Sequence, residues 1–311
     1  MSTRGGDQGS SSISGSGERT DGDIPPQRSG QPGPDTPLEL SSPDWKASLK
    51  RSLKEVKDDR ITLVAAGMAY YWFLAIFPGL IAVVGLLGLV DISPSELAGV
   101  RESIQSTLPS GAARLVLNAL TRAGNASEGA ALTATILGTL VALWSASSGM
   151  VALQSGLNIA YDVDKDRKFI AKRLVALLLI VVMGLLGGVP SPFFTFGEST
   201  IFTVIGFILT AIAVVLMFSI FYYVGPKRSS PDWKWVSPGG ILGAVLWVVS
   251  SLAFGWFVES GFASYEKTYG GLGSVVVLIL WLFISALSVL VGGEVNAEIE
   301  RQSARRSGQA A

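Results

Sequence analysis

"RLVALLLIVVMGLLGGVPSPFFTFGESTIFTVIGFILTAIAVVLMFSIFYYVGPK" covers residues 173–227, and between its two ends the only charged side chain is Glu198. One straight helix of that length would run about 80 Å, more than twice a hydrocarbon core of ~30 Å. The stretch must fold back, and Pro190, Pro192 and Gly197 beside Glu198 supply the turn. Two membrane-crossing helices result. The same signature recurs on either side: Asp, Glu, Lys and Arg are absent from 61–90, 129–161, 174–197, 199–226, 235–258 and 268–293. A charge at the centre of a span costs roughly 2.5–3.5 kcal/mol, so six such windows are what six spans require. The expected architecture is an all-α integral membrane protein with a six-helix transmembrane bundle. Its spans are predicted at Gly67–Val90, Ala131–Leu153, Arg173–Phe194, Thr200–Val224, Val236–Val258 and Gly271–Gly293. The remainder of 129–161, from Gln154 to Tyr161, is placed at the interface.

Counting Lys and Arg near span ends sets the orientation. Seventeen lie on one face, in 46–60, 165–173, 227–234 and 301–306; the opposite loops hold Arg101, Arg114, Arg122 and Lys267. Both termini are therefore expected in the cytoplasm, with 91–130 and 259–270 outside. The domain organisation read from composition is a disordered tail at 1–44, an amphipathic interfacial helix at 45–60, a membrane domain at 61–294 and a cytoplasmic tail at 295–311. Residues 1–44 are Gly, Ser, Pro, Asp and Gln with too little apolar side chain to fold. Trp45, Leu49, Leu53 and Val56 recur at helical spacing among lysines, which suits a helix lying on anionic lipid, or an ordinary helix capped by Ser42 and Asp44. Loop 91–130 carries two short amphipathic patterns that would cap the bundle or cover an opening.

Composition excludes much. The 311 residues are 49% hydrophobic and 15% charged, Lys+Arg and Asp+Glu are balanced at 24 each, and there is no His and no Cys. Disulfide frameworks, Cys/His zinc sites, thiol nucleophiles and Ser-His-Asp triads are removed at once. No basic excess points to nucleic acid, and no nucleotide loop or cofactor motif is present, so the expected cofactor complement is none.

The segments "AAGMAYYWFLAIFPGLIAVVGLLG" (65–88), "LWSASSGMVALQSGLNIAYDVDKDR" (143–167), "YYVGP" (222–226), "PGGILGAVLWVVSSLAFGWFV" (238–258) and "YEKTYGGLGSVVVLILWLFISALSVLVGGEVNAEIE" (265–300) are carried in this order. Together they resemble the YihY/virulence factor BrkB family of inner-membrane proteins, over about 50–300. The resemblance implies a six-helix bacterial inner-membrane protein. Members have carried the label ribonuclease BN; such nucleases rely on His-rich metal sites, which a chain without His cannot build, so the label is not transferred.

Candidate residues fall in four groups, each with an alternative role in packing. Pro78 interrupts the first span and should kink or break it, either to shape packing or to line a cavity. In the second span Trp144, Ser145, Ser148 and Asn158 form a polar stripe that either bonds neighbouring helices or lines a route for a headgroup. Tyr269 and Gly270, with Gly271 and Gly273, lead into the sixth span, and Gly184/Gly188 and Gly239/Gly243 have the spacing of close helix contacts. Glu294 and Asn296 close that span beside Gly292 and Gly293. Glu294 is expected to be ionised and clamped by Arg167 or Arg173, or alternatively to serve as a gate or proton site, with Glu298 farther into water. The function expected is non-enzymatic transport or positioning of an amphiphilic or small solute, the rival being an envelope scaffold. Partners would be the bilayer, a lipid or small solute, and a second copy or an envelope protein; no nucleic acid.

Overall fold

The computed structural model describes residues 36–87, 98–99, 101–102, 117–118, 130–190, 199–228, 233–258 and 271–306. Among the described residues seven long helices follow one another: α1 Ser42–Asp58, α2 Ile61–Leu87, α3 Ala130–Ala160, α4 Phe169–Gly188, α5 Thr200–Val224, α6 Trp233–Phe257 and α7 Gly271–Arg306. No strand occurs among the described residues. Helices α2 to α7 are each long and apolar enough to cross a membrane. Each packs on its neighbour in sequence, and α7 returns to α2, so the six close into a ring in which α7 also touches α3 and α5.

Polarity is arranged for lipid. Leu174, Leu178 and Leu185 of α4, Ile201 and Phe207 of α5, and Val249, Leu252 and Trp256 of α6 face outward. In water such a surface would far exceed the apolar patches that soluble proteins tolerate. Inside, Met68, Leu153, Leu157, Leu179, Phe218, Tyr222 and Leu290 form the packed core. Small residues let backbones meet there: a Cβ at Gly292 would lie 2.8 Å from the Gly243 Cα. The Tyr222 hydroxyl fills the remaining space and donates to the Val289 carbonyl at 2.8 Å. Gly184 and Gly188, in contrast, have nothing within 4 Å of a would-be Cβ, so that pair makes no close helix contact and its expected role is corrected.

Several boundaries move. Helix α2 begins at Ile61, six residues before the predicted span, and runs through Pro78 without interruption. Of the two expected outcomes, a kink or a break, the break does not occur, although the proline removes one backbone bond. Helix α3 continues through Gln154 to Ala160, burying Gln154, Leu157, Asn158 and Ala160 instead of leaving them on the interface. The largest correction is α7: residues 295–306 are helix and not a tail, with Val295, Asn296, Ala297, Glu298, Ile299 and Gln302 buried. At the other terminus the packed chain starts before residue 45. Leu40 packs with Val295 and Ile299, and the N-cap of α1 is Ser41, not Ser42. The Asp44 carboxylate accepts from the Ser41 amide at 3.1 Å and from its hydroxyl. Leu49 and Leu53 remain exposed, as a lipid-lying helix needs, while Ser48 and Ser52 face α7. Expected features in 1–35, the helices of 91–130 (apart from the few residues above), 259–270 and 307–311 lie outside the described residues.

A chain starting at residue 45 should therefore be less stable than one starting at 36. Loss of the cap and of Leu40 burial amounts to about 2–3 kcal/mol from typical values, readable as a lower thermal midpoint in detergent.

Candidate functional site

Two features distinguish the bundle: a buried polar network at its basic end and an apolar cavity deeper inside. The network is organised by α7. Glu294, Glu298 and Gln302 recur every four residues, so they lie on one face, and all three are buried. Helix α1 covers that face. Arg51 Nε donates to Glu298 at 2.8 Å, and Arg51 Nη2 to the Gln302 side-chain oxygen at 2.7 Å. Gln302 Nε2 donates in turn to Asp44 at 2.8 Å. Arg301 closes the other side, pairing with Glu298 at 2.5 Å and with Asp162 at 2.7 Å. Asn296 ties three helices, accepting from the Gly239 amide at 3.1 Å and donating to the Tyr161 hydroxyl at 2.9 Å.

The loop between α3 and α4 supplies the rest. Arg167 donates to the carbonyls of Val224, Gly225 and Pro226, the orphan acceptors at the C-terminus of α5. Burial lowers the Arg167 pKa and the Asp166 carboxylate opposes the shift. Burial alone would raise Asp166, but bonds from Lys172, the Arg167 amide and Asn158 hold its carboxyl below the ordinary 3.8. Asn158 bonds Asp166 at 2.8 Å and receives the Lys227 amide at 2.9 Å. Arg228 pairs with Glu300 at 2.5 Å and stacks over the ring of Tyr161, whose hydroxyl pKa is raised, chiefly by burial.

Glu294 differs from its neighbours. Its side chain is buried and neither carboxylate oxygen receives a bond from a donor group. The expected clamp by Arg167 or Arg173 is thus corrected. Arg167 is committed to the end of α5, and Arg173 donates to Ser147 at 2.6 Å and Ser148 at 3.1 Å while lying over the rings of Trp144 and Phe169. The side chain that faces it is another acid, Asp59, at the corner between α1 and α2. The expectation that Glu298 stands farther in water is overturned too, since it is 1% exposed between two arginines.

The polar stripe of α3 is distributed over the molecule's own groups. Ser148 serves Arg173 and Asn158 serves Asp166, while Trp144 and Ser145 face outward. It bonds neighbours and does not line the cavity. Tyr269 and Gly270 lie outside the described residues. Missing from the sequence reading were Arg301, Asp59 and Gln302, and Asp44 was read only as a cap; the four-residue repeat of polar side chains after Glu294 was a usable signal for Glu298 and Gln302.

The cavity, about 380 Å³, is lined from all six spans, by residues that include Trp72, Met150, Ile180, Phe218, Trp247 and Leu282. Two of its indole N–H groups are paired within the lining: Trp72 Nε1 donates to the Gly149 carbonyl and Trp247 Nε1 to Ser285, both at 2.9 Å. A second hollow of about 310 Å³ lies between α4 and α5. Met183 and Met217 line both spaces.

A closed ring of six helices, each long and apolar enough to cross a membrane, defines a multi-pass membrane protein. The family model for virulence factor BrkB matches residues 52–311, and the chain belongs to that family. It is 32% identical over 256 residues to a protein of Bacillus subtilis (strain 168) named as ribonuclease-like protein YfkH, covering 76% of this chain and 90% of that one. It is 26% identical to UPF0761 membrane protein MADE_1017605/MADE_1018330 of Alteromonas mediterranea, covering 79% of this chain and 85% of the relative. Identity to UPF0761 membrane protein Mpe_A1422 of Methylibium petroleiphilum is 24%, over 81% of this chain but only 62% of the relative. No solved structure matches the chain. These relatives place it among multi-pass bacterial membrane proteins.

Proposed function

We propose that this protein holds and moves the hydrocarbon part of an amphiphile, without bond chemistry, with its basic end in the cytoplasm. The cavity lined by all six spans carries this reading. Engineered apolar cavities of about 150 Å³ stay dry and bind benzene, and ligand pockets commonly hold about 300–1,000 Å³. A space of about 380 Å³ with a mostly apolar lining, in which the Trp72 and Trp247 N–H groups are already paired, suits an acyl segment better than a hydrated solute. Access is argued from Met183 and Met217, flexible side chains that separate it from the hollow between α4 and α5. That hollow gives a sideways route to lipid, so an acyl chain need not leave hydrocarbon to enter.

The non-enzymatic part is supported by the chemistry available. The chain has no His or Cys, and among the described residues no group of three or more acidic side chains is arranged to hold a metal ion. The name of the Bacillus relative is not carried over as an activity.

The test uses phospholipid bearing a photoreactive acyl chain, with the full chain in proteoliposomes. Crosslinks are expected at Met183, Met217 and Trp247. Ala146→Phe, which fills the cavity from α3, should cut them at least tenfold with little change in thermal midpoint. Crosslinks confined to outward residues such as Leu252 and Leu178 would overturn the reading and leave the scaffold role.

A further inference from the structure

Asp59 stands at the corner between α1 and α2, and Glu294 on α7. The Glu294 side chain is fully buried, no donor group reaches either of its oxygens, and the carboxyl that faces it is that of Asp59. Two ionised carboxylates cannot rest against each other in a buried position; one must keep a proton, which then becomes the missing donor.

The surroundings favour retention. Glu55 and Asp58 approach from α1 and Asp162 from the α3–α4 loop, all acidic. The cation facing the pair is Arg301, and its guanidinium bonds are spent on Glu298 and Asp162. Arg51 of α1 points away, to Glu298 and Gln302. Burial, then the Asp162 charge, raise the Asp59 pKa above its ordinary value. The backbone is also held against its preference on both sides: Arg60, next to Asp59, has φ 51°, and Asp162 has φ 50°. Side-chain-bearing residues adopt that region at a cost, so the corner and the loop are positions where stored strain can be released.

We infer that Asp59 and Glu294 form a proton-binding site, in which one proton shared between the two carboxyls fastens the α1–α2 corner to α7. Loss of the proton places two negative charges in contact among three more acids, and the corner separates from α7. The site lies at the basic end, away from the cavity, and does not depend on what the cavity holds.

The sign follows from linkage. The folded state binds the proton more tightly than the unfolded chain, so the site's contribution is complete at acid pH and is lost as pH rises through the titration of the pair.

Infrared spectroscopy of the full chain in nanodiscs reads the proton directly. The wild type at neutral pH should show the carbonyl stretch of a protonated carboxylic acid, disappearing at alkaline pH together with a fall in thermal midpoint. Glu294→Gln replaces the acid with a permanent neutral donor; it should abolish the band and flatten the alkaline fall. Should that variant not fold, Asp59→Asn must shift the band frequency, because the partner of the remaining acid has changed. A wild type without the band, a band unmoved by either substitution, or a midpoint that responds to sodium instead of pH would overturn the inference.

Discussion

Gly292→Val should prevent the ring from closing. A Cβ at this position would meet the Gly243 backbone at 2.8 Å and the Tyr222 hydroxyl. Neither neighbour can yield cheaply. The first is main chain, and the second is fixed by its bond to the Val289 carbonyl inside a ring cluster with Phe218. Overpacking a filled interior commonly costs about 1–3 kcal/mol, and a backbone obstacle puts this case at the upper end or beyond. The expected result is a large loss of monodisperse protein after detergent extraction. Gly184→Val, with nothing within 4 Å of its Cβ, is the control and should behave as wild type. Equal behaviour of the two variants would show that α6 and α7 are not held by backbone approach.

Glu298→Ala should be the next most damaging single change. The carboxylate joins Arg51 of α1 to Arg301 of α7, and its removal leaves two guanidinium groups short of an anion in a buried setting. Breaking a buried pair by deleting one partner costs about 3–5 kcal/mol. The lower end is expected, because Arg301 retains Asp162 and Arg51 retains Gln302. A thermal scan in detergent measures it. Glu298→Gln should lose less, since the amide keeps one acceptor while giving up the charge, and a loss below about 1 kcal/mol in Glu298→Ala would match the typical value of a solvated surface pair instead.

The same residue shows where sequence reasoning stopped. Glu298 lies beyond the last apolar window, and charge after a span ordinarily means water. Here α1 folds back over α7 and supplies a private counter-ion, a contact between residues 247 positions apart. Nothing local to 294–302 announces Arg51. The four-residue repeat of Glu294, Glu298 and Gln302 shows that these side chains share a face, but a shared polar face fits solvent as well as it fits a buried network. The Glu294 clamp failed for a related reason. Arg167 and Glu294 do lie at one end of the bundle, but the carbonyls at the end of α5 compete for that guanidinium and hold it.

The sequence by itself determined that six helices cross a membrane, in which order, and which end of the bundle carries the charge. Each of these rests on the cost of placing a charge or an unpaired backbone group in hydrocarbon, and that cost is paid residue by residue along the chain. Only the tertiary structure decided which helices touch, that α7 continues as a buried helix under α1, that Asp59 meets Glu294, and that an apolar cavity remains among Trp72, Phe218 and Trp247. Inside lipid, an apolar side chain is equally at ease against another helix, against a lipid tail or beside an empty space. Hydropathy cannot distinguish those three surroundings, and shape complementarity between distant segments must.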